Sequence, residues 1–226
     1  AEGAKVALTD VNSAGAESAA ASIARQGGEV SAHAMDVTVR SQVAATIAAV
    51  GAKYGRIDIL VNNAAVGKAV SFLDTTDDEL QRILDVNLGG VFIVGQEVAR
   101  LMVAQGGGRI VNVASLAAHT ANDRQSAYAA AKGAVVALTR VMAFELAPSG
   151  VCVNAVSPGP IETELATAML TPATRRAREI RIPQGRIGLP EEVAAAIAFL
   201  ASPDASYVNG AVLVVGSGPA GLEAAR

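Results

Sequence analysis

Ser115-Leu-Ala-Ala-His-Thr-Ala-Asn-Asp-Arg-Gln-Ser-Ala-Tyr-Ala-Ala-Ala-Lys132 is the stretch around which the rest of the chain is arranged. Ahead of it, Arg109-Ile-Val-Asn-Val-Ala114 is apolar and rich in β-branched residues, and reads as a buried strand. Behind it, residues 128–146 are Ala-rich with apolar side chains at helical spacing, which predicts a helix. Ser115 is therefore expected at the carboxyl end of a strand. Tyr128 and Lys132, at i and i+4, are expected on one helix face. Open α/β sheets bind ligands outside the carboxyl ends of their strands, so this group sits where a substrate would lie.

The residue types suit one kind of chemistry. A phenol titrates near ~10 and is a poor acid or base at neutral pH. An ammonium one helical turn away favours the phenolate and is expected to lower that value. A serine hydroxyl can hydrogen-bond a substrate oxygen and hold it near the phenol. Together they fit proton transfer to or from a carbonyl or alcohol oxygen, the partner step of hydride transfer.

Working outward, strand and helix patterns alternate. Residues 5–10 read as a strand ending in Asp10, 13–26 as a helix closed by Gly27-Gly28, 29–35 as a strand followed by Asp36-Val37, and 41–54 as a helix. Residues 57–62 form the next strand, running into Asn62-Asn63-Ala64-Ala65, and 77–105 a long helical region containing Gly89-Gly90. After the stretch quoted above come a strand at 151–156, a break at Pro158-Gly159-Pro160, a flap or helix at 164–181, a helix at 191–201, a turn at 207–210 and a strand at 211–215. This alternation predicts an α/β fold with a doubly wound, mostly parallel sheet covered on both faces. One domain over residues 1–215 is expected, since no repeat or linker divides it.

Composition narrows the function classes. In 226 residues, 51% are hydrophobic and 17% charged, as in a globular chain able to bury a sizeable core. A net charge of −3 without a basic run, and no Trp, argue against a nucleic-acid partner. No stretch of about 18 residues is both apolar and uncharged, so no membrane span is expected. The single cysteine, Cys152, leaves no internal disulfide pair and reads as strand core. With no signal peptide in view, a cytoplasmic setting is the expectation. Two distant histidines, His33 and His119, without a carboxylate cluster argue against a metal site. His119 reads as substrate-lining or exposed.

Taken jointly, Ser115, Tyr128-Ala-Ala-Ala-Lys132, Asn62-Asn63-Ala64, Asn87 and Pro158-Gly159 resemble the motifs of the short-chain dehydrogenase/reductase family over nearly the whole chain. The resemblance implies a Rossmann-like fold and a nicotinamide-dependent oxidoreductase that interconverts a secondary alcohol and a ketone. It implies a catalytic tetrad of Asn87, Ser115, Tyr128 and Lys132. Tyr128 would be the general acid/base, and Lys132 would lower its pKa and bind the nicotinamide ribose. Ser115 would position the substrate oxygen, and Asn87 would hold a water of a proton relay. It also implies that Asp36 meets the adenine amino group beside Val37, and that Asn62 and Ala64 line the adenosine ribose. Pro158, Gly159, Ile161 and Thr163 would carry the nicotinamide. Asp10 ends a strand where a carboxylate accepts hydrogen bonds from the adenosine ribose and repels a 2′-phosphate; no Arg stands at Val11 or Asn12. NAD is therefore expected over NADP. The family habit is a homo-oligomer, tetramer or dimer, and the substrate is a small alcohol or carbonyl compound. Arg175, Arg176 and Arg178 read first as a solvated helix face, and second as a greeting for an anionic substrate.

Two departures stand out. A doubly wound dinucleotide site opens with a strand, a Gly-rich turn and a helix that receives the pyrophosphate. This chain begins at Ala1-Glu-Gly-Ala-Lys5, which resembles the end of that helix. The sheet is therefore expected to be incomplete at its first βα unit, by about 25–30 residues. The alternative function is accordingly a non-catalytic fragment, or a structural or binding piece of a fused flavoprotein. At the other end, Val212-Leu-Val-Val-Gly216-Ser-Gly218-Pro-Ala-Gly221 reads as a strand and a Gly-x-Gly-x-x-Gly turn. Residues 216–226 resemble the opening of a flavoprotein dinucleotide-binding module. A junction of unrelated sequence, or a permuted sheet in which this run fills the vacant first-strand slot, are the other readings.

Overall fold

The computed structural model describes residues 3–163 and 171–216. Strand β1 (Val6–Asp10) leads through helix α1 (Ser13–Arg25) to β2 (Val30–Ala34), and these pair in parallel from Val6↔Val30 to Asp10↔Ala34. Asn12 caps α1, its side-chain oxygen accepting from the Gly15 N–H at 3.2 Å. Helix α2 (Arg40–Tyr54) ends at Gly55, whose φ of 83° is a left-handed conformation that costs glycine little. Strand β3 (Ile59–Asn62) follows.

Helix α3 (Asp77–Leu84) starts from a capping box of Thr76 and Glu79 and runs through a π turn, Asp85–Gly90, into α4 (Val91–Gln105). Strand β4 (Gly108–Val113), helix α5 (Ser126–Leu146), strand β5 (Val151–Pro158), helices α6 (Pro172–Arg181) and α7 (Pro190–Ala201), and strand β6 (Val212–Val215) complete the order. Strands β3-β4-β5-β6 form one sheet, every neighbour parallel. The protein has the expected α/β, Rossmann-like architecture.

Alternation along β4 shows how both faces are buried. Ile110 joins Val43, Ile47, Val94, Val98 and Met102 beneath α2 and α4, while Val111 packs with Val156 and Leu200 beneath α7. The long 77–105 helix and Ser126–Ser149 are in fact long and apolar enough to cross a membrane by length and composition. In this fold their apolar stripes line the sheet, with Val94, Val98, Met102, Val135 and Val136 buried.

The sheet is divided on one side. Among the described residues β1 pairs only with β2 and β3 only with β4, so the two sheets are not hydrogen-bonded to each other. On β3, Ile59 and Val61 stay 42% and 38% exposed. Strand β6 pairs with β5 from Ala155↔Val212 to Pro158↔Val215, at the far edge. That overturns the permuted sheet: residues 212–215 are held by β5 and cannot occupy a place beside β1. The remaining readings of the tail concern residues 217–226 and lie outside the described residues.

Candidate active site

Within each sheet the strands are parallel, so their carboxyl ends share one edge, and the candidate residues follow from strand to strand along it. Strand β4 ends at Val113, and the Ala114 N–H still donates to the Val156 carbonyl at 2.8 Å. Ser115 thus leaves the sheet in an extended conformation and caps a short turn, Leu116–Ala118, its Oγ accepting from the Ala117 N–H at 3.2 Å. The Ser115 hydroxyl stands close enough to the Tyr128 phenol to favour its ionised form. Lys132, one turn further along α5, is 1% exposed, with Nζ 5.8 Å from the centre of the Tyr128 ring and donating to the Val113 carbonyl at 2.7 Å. The three side chains are thus neighbours at the carboxyl end of β4.

Electrostatics here differ from the expectation. Burial pushes the Tyr128 phenol above its ordinary value, with Ser115 pulling the other way. Burial also pushes the Lys132 ammonium down to about 8. The expected lowering of the phenol by the lysine is overtaken because both groups are withdrawn from water, which disfavours phenolate and ammonium alike.

Asn87 is fully buried in the π turn and exchanges two hydrogen bonds with one backbone unit. The Val66 N–H donates to Oδ1 at 3.1 Å, and Nδ2 donates to the Val66 carbonyl at 2.7 Å. It thereby ties the segment after β3 to the turn packed on α5. Gly90 closes that turn where a Cβ would come within 2.6 Å of Val37 Cγ2. Val37 is accordingly a partly buried core residue as well as a neighbour of Asp36.

Asp10 ends β1 exposed, one carboxylate oxygen accepting from the Asn12 N–H at 2.8 Å. Asp36 follows β2, and Oδ1 accepts from both the N–H and the hydroxyl of Thr38, which holds its carboxyl below the usual range. Asn62 is turned into the sheet. Its side chain is buried and donates to Asn112 Oδ1 at 2.9 Å, and Asn112 in turn donates to Thr139 Oγ1 at 2.9 Å. A side-chain amide so committed inside the sheet is not turned toward a ligand; Ala64, by contrast, is exposed at the strand end. Sequence spacing gave no sign of this ladder, because its members lie on three separate elements.

After Pro158, Gly159 N–H donates to the Val215 carbonyl at 3.0 Å, and Ile161 bridges to Gly188. Residues 160–162 are held by Gly188, which donates to the Pro160 carbonyl at 3.0 Å and accepts from the Glu162 N–H at 2.8 Å. Thr163 N–H donates to the Ile161 carbonyl at 2.9 Å. A cavity of about 190 Å³ opens beside this segment, lined by Ile161, Ile182, Gln184 and Arg186 among others. Arg175 of α6 pairs with Glu162 and with Glu179, the latter at 3.1 Å, so it is not a free cation. Arg176 is exposed, and the Arg178 side chain lies outside the described residues.

For His119, read from the sequence as substrate-lining or exposed, the contact with Ser157 was not foreseen. The residue is half-buried, its Nε2 lies 3.0 Å from Ser157 Oγ, and burial with the nearby Arg140 holds its imidazole below the ordinary value. Arg124, at the mouth of the loop before α5, has a φ of 60°, an uncommon conformation for a side chain with a Cβ.

With this geometry in hand, comparison with known proteins is specific. A family model described as enoyl-(acyl carrier protein) reductase matches residues 1–219. The 3-oxoacyl-(acyl-carrier-protein) reductase of Thermotoga maritima is 40% identical over 217 residues, covering 96% of this chain and 88% of that one. A gluconate 5-dehydrogenase from Burkholderia cenocepacia, solved with NADP and tartrate, superposes with a TM-score of 0.90 at 37% identity over 99% of this chain and 87% of its own. A 7α-hydroxysteroid dehydrogenase, solved with NADH and 7-oxo glycochenodeoxycholic acid, gives 0.90 at 34% identity over 94% and 83%.

Proposed function

The chain belongs to the short-chain dehydrogenase/reductase family of oxidoreductases, and from that premise we propose that it interconverts a secondary alcohol and a ketone through Tyr128 as general acid/base. The observation that carries the reading is that Ser115, Tyr128 and a fully buried Lys132 are neighbours at the end of β4. In the reducing direction the Tyr128 phenol donates its proton to the substrate oxygen; in the oxidising direction the phenolate accepts it. Ser115 Oγ accepts from the Ala117 N–H, and its one O–H, which faces the Tyr128 phenol, would be redirected to a substrate oxygen placed beside both. Asn87, held by Val66 in the turn packed on α5, is assigned to the proton relay.

The nicotinamide cofactor supplies or accepts the hydride when bound. The residues fit it. Lys132 has N–H groups beyond the one given to Val113, suited to the ribose hydroxyls. Asp10, Asp36, Val37, Asn62 and Ala64 lie along the adenosine side, Asn62 through its backbone, and Pro158, Gly159, Ile161 and Thr163 along the nicotinamide side. The exposed Asp10 carboxylate repels a 2′-phosphate, which supports NAD over NADP. The solved relatives hold NADH in one case and NADP in the other, and the relatives are named for a 3-oxoacyl-(acyl-carrier-protein), gluconate and a hydroxysteroid, so the proposal stops at a small alcohol or carbonyl compound. A homo-oligomer, dimer or tetramer, is part of the reading: Phe144 is 85% exposed on α5 and Phe92 48% on α4.

Fluorescence titration of the 226-residue chain with NADH and NADPH tests the assignment. Saturable binding, tighter for NADH, supports it and rejects the non-catalytic alternative. Absence of binding to either cofactor supports that alternative.

A further inference from the structure

We propose that His119 is a positioning residue for Ser115, fixing the serine's turn to the buried end of β5 through Ser157; this rests on Ser115 being the group that steadies the substrate oxygen.

The turn after β4 is shaped by its own hydrogen bonds. Ala117 N–H meets Ser115 Oγ, Ala118 N–H meets the Ser115 carbonyl at 3.0 Å, His119 N–H meets the Leu116 carbonyl at 2.9 Å, and the Thr120 hydroxyl meets the Leu116 carbonyl at 3.2 Å. Such local bonds determine the turn's shape but not its placement over the sheet. Placement needs anchors outside the turn. One stands before Ser115, where the Ala114 N–H reaches the Val156 carbonyl at 2.8 Å. The turn is also held by packing, with Ala117 buried and Ala118 against the Val91, Ala114, Val135, Val136 and Ala155 cluster, but apolar packing does not orient the polar groups at its far end. The second anchor stands after Ser115, where the His119 ring meets Ser157 Oγ at 3.0 Å. The two anchors fall on consecutive residues of β5, and Ser115 lies between them.

Ser157 is fully buried, so its hydroxyl requires a partner, and among the described residues the His119 ring supplies it. Ser157 also immediately precedes Pro158-Gly159. The same contact therefore links the serine turn to the segment assigned to the nicotinamide. Rotation of the turn would move Ser115 Oγ relative to Tyr128, and small misplacements of this kind are costly to a positioned hydroxyl.

Tyrosinate absorbance titration provides a readout that does not depend on turnover. Tyr128→Phe assigns the Tyr128 component against Tyr54 and Tyr207. Because the Ser115 hydroxyl holds the Tyr128 phenol down, His119→Ala and Ser157→Ala are each expected to move its midpoint upward. The double variant should go no further than either single one, since both remove the same contact. His119→Gln, which keeps a polar group, should return part of the way. In turnover with a ketone substrate, kcat should fall by about tenfold while the KM for cofactor stays unchanged. A Tyr128 midpoint unmoved in folded Ser157→Ala protein overturns the proposal, as do shifts that simply add. Ser157→Ala carries the test if His119→Ala fails to fold. If the unmodified chain shows no turnover, the enzyme reading fails on its own, and the titration still decides the role of His119.

Discussion

The two halves of the sheet are built from the same kind of unit and end up very differently. Strands β4 and β5 each have paired neighbours on both edges, and Ile110, Val111, Val153 and Val156 are fully buried between helical layers. Among the described residues β1 and β3 each pair along one edge, and β3 leaves Ile59 and Val61 substantially exposed. The dense half carries the groups assigned to proton transfer. The open half carries Asp10 and Asp36, assigned to the adenosine end of the cofactor. Chemistry that depends on sub-ångström placement sits where packing allows little movement, while recognition by charge sits where the fold is looser.

The largest separation of the halves should come from Tyr128→Phe. Turnover is expected to drop by about 10³-fold or more, with NADH affinity kept, measured by steady-state rates and by cofactor fluorescence; retained turnover would break the division. The next effect concerns Lys132. Its folded pKa, about 8, lies below the ordinary 10.5 because burial disfavours the ammonium. Between those values the unfolded chain binds more protons, so this group makes stability rise as pH rises from about 8 toward 10.5, by at most roughly 3 kcal/mol. Urea unfolding across that range should show the rise in the natural chain and lose it in Lys132→Met.

Paired truncations test the packing contrast directly. Val111→Ala, in the dense half, should cost about 2 kcal/mol in urea unfolding, and Val61→Ala, in the open half, less than about 1 kcal/mol. Equal costs would mean that β3 is as well packed as β4. The smallest effect belongs to Arg124. Replacing it by Gly relieves a left-handed backbone and should leave stability unchanged or raise it by up to about 1 kcal/mol, read as a small increase in Tm.

Several features of this site were legible in the sequence because they are local. The i, i+4 spacing of Tyr128 and Lys132 fixes a shared face on any helix, and a β-branched run before Ser115 fixes a strand end. Others were not. The π turn at Asn87 has no compositional signature, so residues 77–105 read as one helix. The partner of Asn62 lies on β4, and that of His119 on β5, reached only when the strands align. The direction of the Tyr128 and Lys132 shifts depends on how much water the fold removes, and no spacing reports that.

Taken alone, the order of apolar and polar residues determined the alternation of strands and helices, the parallel sheet, and which chemical groups stand at strand ends, because period and side-chain chemistry are properties of short segments. Only the tertiary structure decided which groups are dehydrated and which amides are already committed to the interior. Those outcomes depend on neighbours distant in the chain, whose company sets burial and hydrogen bonding.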